Sequence, residues 1–229
     1  MKLSIIIPVY NEAKTIDALL TKVGRISQEK EIIIVNDGST DETSQLLEKY
    51  KFKDNIKIIH LKTNKGKGKA VREGIKKAQG DIIAIQDADL EYNPAEIEKL
   101  AEPILQNKVR VVYGSRMLNH RHYYSSLFFY LGGRTVNFFA RFLYHIKLTD
   151  MLTGAKLFSA DLIHFLQLKS NGFEIEAEFT AKITNLGIPI LEMPISYHPR
   201  SKKDGKKIRW RDGVKCILTL IKYKNWQGH

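Results

Sequence analysis

Gly-Asp-Ile-Ile-Ala-Ile-Gln-Asp-Ala-Asp-Leu-Glu, residues 80–91, leads from four consecutive apolar residues directly into a cluster of carboxylates. A short apolar run of this kind is typical of a β-strand buried on both faces. Ligands of open α/β sheets collect outside the carboxyl ends of the strands, which would place Asp87 and Asp89 at a ligand-binding rim. Side chains two positions apart on an extended backbone point the same way, so both carboxylates could meet one hard cation such as Mg²⁺ or Mn²⁺.

The two aspartates could instead serve only to cap the helix that follows them. However, Asn-Pro-Ala-Glu at residues 93–96 already provides a helix start. Asn93 would be the N-cap, Pro94 would occupy the first helical position, and Glu96 would lie in the first turn. The metal interpretation is therefore preferred.

The same order of strand, polar turn and helix recurs on both sides of this segment. Strands are predicted at 3–9, 31–35, 56–61, 82–85, 109–113 and 155–158, with a last edge strand at 188–197 that contains two prolines. Helices are predicted at about 16–26, 42–50, 69–79, 94–106, 160–168, 173–187 and 210–224. This alternation predicts an α/β fold with a doubly wound, mostly parallel sheet.

Composition narrows the class of protein. The chain has 229 residues, 43% of them apolar, which is enough for one large domain with a tail. A formal charge of +12 indicates a polyanionic partner: nucleic acid, an anionic membrane surface or a phosphorylated substrate. The single cysteine, Cys216, excludes an internal disulfide and is expected to be a small apolar residue. Since no run of 18 uncharged apolar residues exists, we expect a soluble or membrane-peripheral protein.

A basic glycine-containing loop at 62–69 has four lysines in eight residues. It lacks the third glycine of a dinucleotide-binding fingerprint, because Val71 stands there, and it contains no P-loop motif. Two interpretations stay open for this loop. It could form an electropositive rim for phosphate, or it could be a solvated basic turn.

Taken together, these segments resemble a family 2 glycosyltransferase of the GT-A fold, in the branch of dolichyl-phosphate mannosyl- and glucosyltransferases. The resemblance covers nearly the whole chain. It rests on residues 7–12, 35–41, 80–81 with 87–89, 114–116 and 149–154. It implies a Rossmann-like GT-A domain at 1–199, with helices on both sheet faces, a nucleotide-sugar half at about 1–116 and an acceptor half at about 117–199. Residues 200–229 would then form a basic loop and an amphipathic helical tail.

The resemblance also implies the site residues. The base and ribose of the donor would meet Pro8, Tyr10, Glu12, Val35 and Asp37. The metal and diphosphate would meet Asp87, Ala88, Asp89 and Glu91, with Arg116, Arg200 and Lys206 supplying positive charge. Catalytic roles would fall to Asp89, Arg116, Asp150 and Glu176, the last on the acceptor side. The family often has Gln at the position of Glu91, and a carboxylate coordinates Mg²⁺ at least as readily.

These residues would serve the transfer of a sugar from a UDP- or GDP-sugar to an acceptor oxygen. If the acceptor is a dolichyl or undecaprenyl phosphate, its oxygen is already ionised and needs little help from a base. Asp150 would then position the acceptor more than deprotonate it. A carbohydrate acceptor is the alternative, because it would use the same donor site. A nucleic-acid binder is disfavoured, since acidic strand ends would repel phosphates without a metal.

Two segments indicate a membrane surface. Residues 123–144 hold nine of the chain's 22 aromatic residues and are too charged to span a bilayer, so they are predicted to lie in the interface plane. The alternative is a helix packed on the sheet or on a dimer partner. Residues 200–224 carry ten basic residues against two aspartates, with Val214, Ile217, Leu218 and Ile221 on one side of the predicted helix. We expect a peripheral protein on the cytoplasmic face of the membrane, with a homo-oligomer or a membrane-protein partner left open.

Overall fold

A central β-sheet forms the core of the structure, a computed structural model that describes residues 1–118, 127–200 and 209–228, with 127–129 by their backbone alone. Over these residues the sheet has seven strands in the order β3-β2-β1-β4-β6-β5-β7. The strands are β1 Leu3–Val9, β2 Lys30–Asn36, β3 Ile56–His60, β4 Ile82–Ile85, β5 Val111–Ser115, β6 Lys156–Ser159 and β7 Leu191–Pro194. Only β6 runs antiparallel to its neighbours, β4 and β5. The predicted mostly parallel sheet, with the proline-containing strand at an edge, is confirmed.

Helices cover both faces of this sheet, as predicted. They are α1 Ile16–Gly24, α2 Thr43–Glu48, α3 Lys67–Ile75, α4 Glu96–Leu105, α5 Leu127–Tyr144, α6 Ala160–Phe165, α7 Ile175–Asn185 and α8 Trp210–Lys222. Ile5 and Ile7 pack into a core with α1, α2 and α4, while Ile6 packs into a second core with α3, α6 and α7. Because alternate side chains of β1 enter opposite cores, the strand is almost wholly apolar, and the hydroxyl of its buried Ser4 donates to Glu31 at 2.6 Å.

Helix α4 begins two residues later than predicted. Its first residue is Glu96, and Ala95 at the N-cap makes no side-chain cap hydrogen bond. Asn93 instead forms a turn before the helix, since its Oδ1 accepts the N–H of Ala95 at 3.2 Å. The assignment of Asn93 as N-cap and Pro94 as first helical residue is therefore wrong, although Asn93 does order the entry into the helix.

The C-terminal helix packs on the body of the protein through a third core. Cys216, Leu220 and Tyr223 contact α5 and α7 in this core, which confirms Cys216 as a buried apolar residue. The hydroxyl of Tyr144 donates to the carbonyl oxygen of Leu220 at 2.6 Å. No helix in the described ranges has the length and apolarity needed to cross a membrane.

Candidate active site

Three adjacent parallel strands, β2, β1 and β4, end side by side, and their carboxyl ends form the rim of the sheet. Asp87 and Asp89 follow β4 at this rim, with side chains about one-fifth exposed. Leu90, directly after Asp89, has a φ of 60°. That conformation is unfavourable for a residue with a bulky side chain and is common where backbone strain is kept for ligand binding.

Each of the two aspartates already contacts a cationic side chain. The ammonium nitrogen of Lys67 lies 2.7 Å from Oδ1 and 3.0 Å from Oδ2 of Asp87. The guanidinium of Arg200 lies 3.2 Å from Oδ2 of Asp89 and also binds both carboxylate oxygens of Glu12, at 2.9 and 3.0 Å. Lys67 is 11% exposed, so it does not belong to a solvated basic turn. That interpretation is wrong for this residue, and the interpretation as an electropositive rim for phosphate stays a prediction.

The charges of this network leave room for a divalent cation. Five carboxylates and three cationic groups give a formal charge of −2 when all are ionised; they are Glu12, Asp87, Asp89, Glu91 and Glu176 with Lys67, Lys156 and Arg200. Burial, reinforced by the charges of Asp87 and Glu91, raises the pKa of Asp89 to about 7. A hard divalent ion beside Asp87 and Asp89 would relieve this repulsion, so the donor set fits Mg²⁺ or Mn²⁺.

Glu91 is engaged elsewhere and does not join the two aspartates in a three-carboxylate cluster. Its Oε2 accepts the hydroxyl of Tyr197 at 3.0 Å, and its Oε1 accepts the backbone N–H of Arg200 at 2.7 Å. Among the described residues, no three His, Cys, Asp or Glu side chains are grouped to hold a metal. Glu91 thus anchors the chain that carries Arg200, and its predicted role as a metal ligand beside Asp87 and Asp89 stays a prediction.

Arg116 and Asp150 form a bidentate ion pair at the end of β5. The Nε and one terminal nitrogen of Arg116 each donate to Asp150 at 2.7 Å, and the guanidinium stacks 5.0 Å from the ring centre of Tyr197. Burial would raise the pKa of Asp150, but the Arg116 charge outweighs it and holds the pKa below its usual range. A carboxylate with a lowered pKa is a weaker base, so this arrangement favours a positioning role for Asp150 beside Arg116.

Glu192 supports this ion pair and was missed by the sequence reasoning. It lies on the edge strand β7, and its carboxylate accepts the backbone N–H groups of Thr149 at 2.7 Å and Asp150 at 2.8 Å. A carboxylate that accepts two amide hydrogen bonds fixes the backbone on which Asp150 stands. Nothing in the sequence of an edge strand distinguishes this glutamate from a solvated one.

Glu176 lies at the start of α7 and is 4% exposed. One carboxylate oxygen contacts the ammonium of Lys67 at 3.0 Å, and the other contacts that of Lys156 at 2.5 Å. Burial opposes ionisation of Glu176, but Lys156 and Lys67 lower its pKa below the ordinary value. Lys156 was also missed, although a lysine within an apolar strand is a usable signal for a buried ion pair.

A glycine fixes the position of Asp87 from the other side. A Cβ on Gly154 would lie 2.0 Å from Oδ2 of Asp87 and 3.2 Å from the ring of Tyr92. The backbone N–H of Gly154 donates to the Tyr92 hydroxyl at 3.2 Å. Asp87 is therefore packed between the ammonium of Lys67 and the bare backbone of Gly154.

The residues expected to hold the base and ribose lie near the ends of β1 and β2. Pro8 and Val35 are paired in the parallel register, and Tyr10 follows at the end of β1. Asp37, after β2, accepts the N–H groups of residues 65 and 66 at 2.8 and 2.7 Å, so its carboxylate orders the loop before Lys67. Ala88 is buried in the core beneath the rim. Lys206 lies outside the described residues.

An open, mostly parallel sheet with a paired-aspartate rim is the arrangement of the GT-A class of glycosyltransferases. The crystal structure of glucosyl-3-phosphoglycerate synthase from Mycobacterium tuberculosis shares the fold, with a TM-score of 0.74 and 20% identity over 98% of this chain and 81% of that chain. The model of the Glycosyl transferase family 2 matches residues 4–164, and the chain belongs to that family, in the branch of dolichyl-phosphate sugar transferases.

Two relatives whose names place them in this branch are similar to nearly the whole of this chain. The dolichyl-phosphate beta-glucosyltransferase of Saccharomyces cerevisiae is 33% identical over 258 residues, covering 96% of this chain and 73% of the relative. The dolichol-phosphate mannosyltransferase of Pyrococcus furiosus is 26% identical over 245 residues, covering all of this chain and 65% of that longer protein. The chain is therefore a glycosyltransferase whose similar proteins include polyprenyl-phosphate sugar transferases.

Proposed function

We propose that this protein is a metal-dependent glycosyltransferase that moves a sugar from a UDP- or GDP-sugar to a polyprenyl phosphate at a membrane surface. The observation that carries the proposal is the pair Asp87 and Asp89 at the sheet edge, each contacted by a cation. The names of the relatives support the lipid phosphate acceptor, of dolichyl or undecaprenyl type. Structures of the M. tuberculosis synthase in complex with UDP and Mn²⁺ or Mg²⁺ support the donor and the metal.

The chain's own residues would act mainly by placing charge. Mg²⁺ or Mn²⁺ held by Asp87 and Asp89 would supply the Lewis acid that neutralises the departing nucleoside diphosphate. Arg200 adds a fixed positive charge beside Asp89, and its Nε is a buried donor without a hydrogen-bond partner among the described residues, which suits a phosphate oxygen. The acceptor phosphate is already an anion, so the Arg116–Asp150 pair needs only to orient groups in the acceptor half.

The outer faces of α5 and α8 form an apolar surface with basic residues beside it. On α5, Phe138 and Phe142 are 62% and 65% exposed and their rings stack at 6.2 Å. On α8, three of the four residues of the predicted apolar side, Val214, Leu218 and Ile221, are exposed. The fourth, Ile217, packs partly against the core that holds Cys216 and Leu220. Exposed apolar side chains with lysines nearby suit an anionic bilayer surface. These side chains support a peripheral protein at a membrane surface, and we propose the cytoplasmic face, as predicted from the sequence.

Flotation with vesicles tests this surface. The double variant F138S/F142S should lose binding to vesicles containing anionic lipid, while the control variant F52S, which removes a 90% exposed phenylalanine after α2, should bind as the wild type does. The triple variant K215Q/K222Q/K224Q should lose about 1 kcal/mol of membrane affinity per lysine, with a difference that fades as salt rises. Equal binding by all variants would remove the membrane surface from the proposal.

The reaction itself is tested with radiolabelled donors. A thermal-shift panel of UDP- and GDP-sugars with and without Mn²⁺ should first identify the donor, because a ligand that binds only the folded state stabilises it. That donor is then incubated with dolichyl or undecaprenyl phosphate in detergent. Metal-dependent transfer of label into the organic phase is expected. Transfer of label only to a soluble carbohydrate would refute the lipid phosphate acceptor, while the proposed donor site would still stand.

A further inference from the structure

We infer that Lys67 is an internal counter-ion that competes with the divalent metal for Asp87, so that metal capture depends on the donor's diphosphate. This inference rests on the proposed metal-dependent function. In the structure the ammonium group of Lys67 contacts Asp87 through both carboxylate oxygens and Glu176 through one. The contact with Oδ2 of Asp87 is a hydrogen bond, and the contacts with Oδ1 of Asp87 and with Glu176 are ion pairs.

The backbone beneath Lys67 cannot shift to move this charge away. Lys67 is the first residue of α3 and lies between Gly66 and Gly68. A Cβ on Gly66 would lie 2.5 Å from the carbonyl oxygen of Asn171, and one on Gly68 would lie 2.6 Å from that of Ser170. This close backbone packing fixes the start of α3. Any movement of the ammonium must therefore come from the four-carbon side chain, which is flexible in lysine.

Competition follows from the shared carboxylate. A metal ion binds a carboxylate oxygen at about 2.1 Å, so it would lie within a few ångströms of an ammonium held by the same group. The repulsion between the two cations opposes metal binding in the donor-free enzyme. A diphosphate brings negative charge that can contact both cations, which removes this opposition. Thermodynamic linkage then requires that metal and diphosphate strengthen each other's binding by the same factor.

The alternative is that Lys67 only stabilises the buried carboxylates of Asp87 and Glu176. Both ideas expect some loss of thermal stability when the charge is removed, because a buried carboxylate loses its partner. They differ in the affinity for metal alone. A merely structural lysine would leave that affinity equal or reduce it, whereas a competing cation depresses it, so removal of the charge must raise it.

The test is a titration of the full chain with Mn²⁺ alone, followed by the EPR signal of free Mn²⁺, and a second titration in the presence of UDP or GDP. Lys67→Met should bind Mn²⁺ alone at least tenfold more tightly than the wild type, and the nucleotide should strengthen its Mn²⁺ binding less. Lys67→Arg keeps the charge and should restore weak binding. Lys76→Met is the matched control, because it removes an exposed lysine at the other end of α3 and should match the wild type.

The possible results separate this inference from the proposed function. Unchanged or weaker Mn²⁺ binding by Lys67→Met would overturn the competition while leaving a metal-dependent enzyme. If that variant does not fold, the double variant K67M/E176Q, which also neutralises the facing carboxylate, is judged by the same tenfold criterion. A wild-type protein that binds no Mn²⁺ even with either nucleotide would refute the metal-dependent function, and the inference with it.

Discussion

Substitution of Gly154 by Ala tests whether the exact placement of Asp87 matters for catalysis. The new Cβ would lie 2.0 Å from Oδ2 of Asp87, and real Cβ contacts under 3.0 Å essentially do not occur, so the carboxylate would have to retreat by at least 1.0 Å. Lys67 holds the other side of this carboxylate, which limits where it can go. A displacement of about 1 Å at a reacting centre can cost about 100-fold in rate, or about 2.7 kcal/mol.

The assay compares kcat/KM with the identified donor, Mn²⁺ affinity in the presence of nucleotide, and thermal unfolding. Gly154→Ala should lose about 100-fold in kcat/KM and bind Mn²⁺ more weakly. Gly24→Ala is the control, since a Cβ there meets nothing within 4 Å. Full activity of Gly154→Ala with an unchanged Mn²⁺ affinity would refute the role given to Asp87 and its packing.

Three further substitutions test separate parts of the structure. Asp89→Asn should abolish metal-dependent turnover with an unchanged circular dichroism spectrum, because a rim residue contributes little to packing; retained turnover would remove Asp89 from the metal site. Arg200→Ala should weaken donor binding by up to about 3 kcal/mol, the scale of a hydrogen bond to a charged group, measured by calorimetry; a loss confined to vesicle flotation would make it a membrane residue instead. Lys182→Met should lower the free energy of unfolding in urea by about 3 kcal/mol, since Glu178 is fully buried; an unchanged midpoint would show that this pair adds no net stability.

The layered fold could be predicted from the sequence because a local run of apolar residues is enough to identify a buried strand. Every residue of 82–85 is buried, as the run predicts, and Asp87 and Asp89 after it stand at the rim. Strand direction has no such local signal. Strand β6 is buried like its neighbours, yet it runs antiparallel between β4 and β5, and only tertiary pairing decides this.

The partners of the site's charges could not be predicted from the sequence. Lysines are almost never fully buried unless they are paired, so a loop with four of them was expected to face solvent or phosphate. Lys67 is buried because the fold brings two carboxylates to it, from positions 87 and 176. Likewise, Glu91 suits a metal by its chemistry, but Tyr197 and the backbone of Arg200 occupy its oxygens.

The route of the charge network through the fold suggests why donor and acceptor chemistry would be coupled. Asp87 stands in the predicted nucleotide-sugar half, and Lys67 joins it directly to Glu176, which lies at the start of α7 in the predicted acceptor half. The fully buried Lys156 contacts the other carboxylate oxygen of Glu176 and is the last member of this chain of contacts. In such a low-dielectric chain, a change of charge at Asp87 alters the field at every other member. Binding of the donor diphosphate and its cation would thus be felt on the acceptor side without a large movement of the backbone, through the redistribution of one ammonium between two carboxylates.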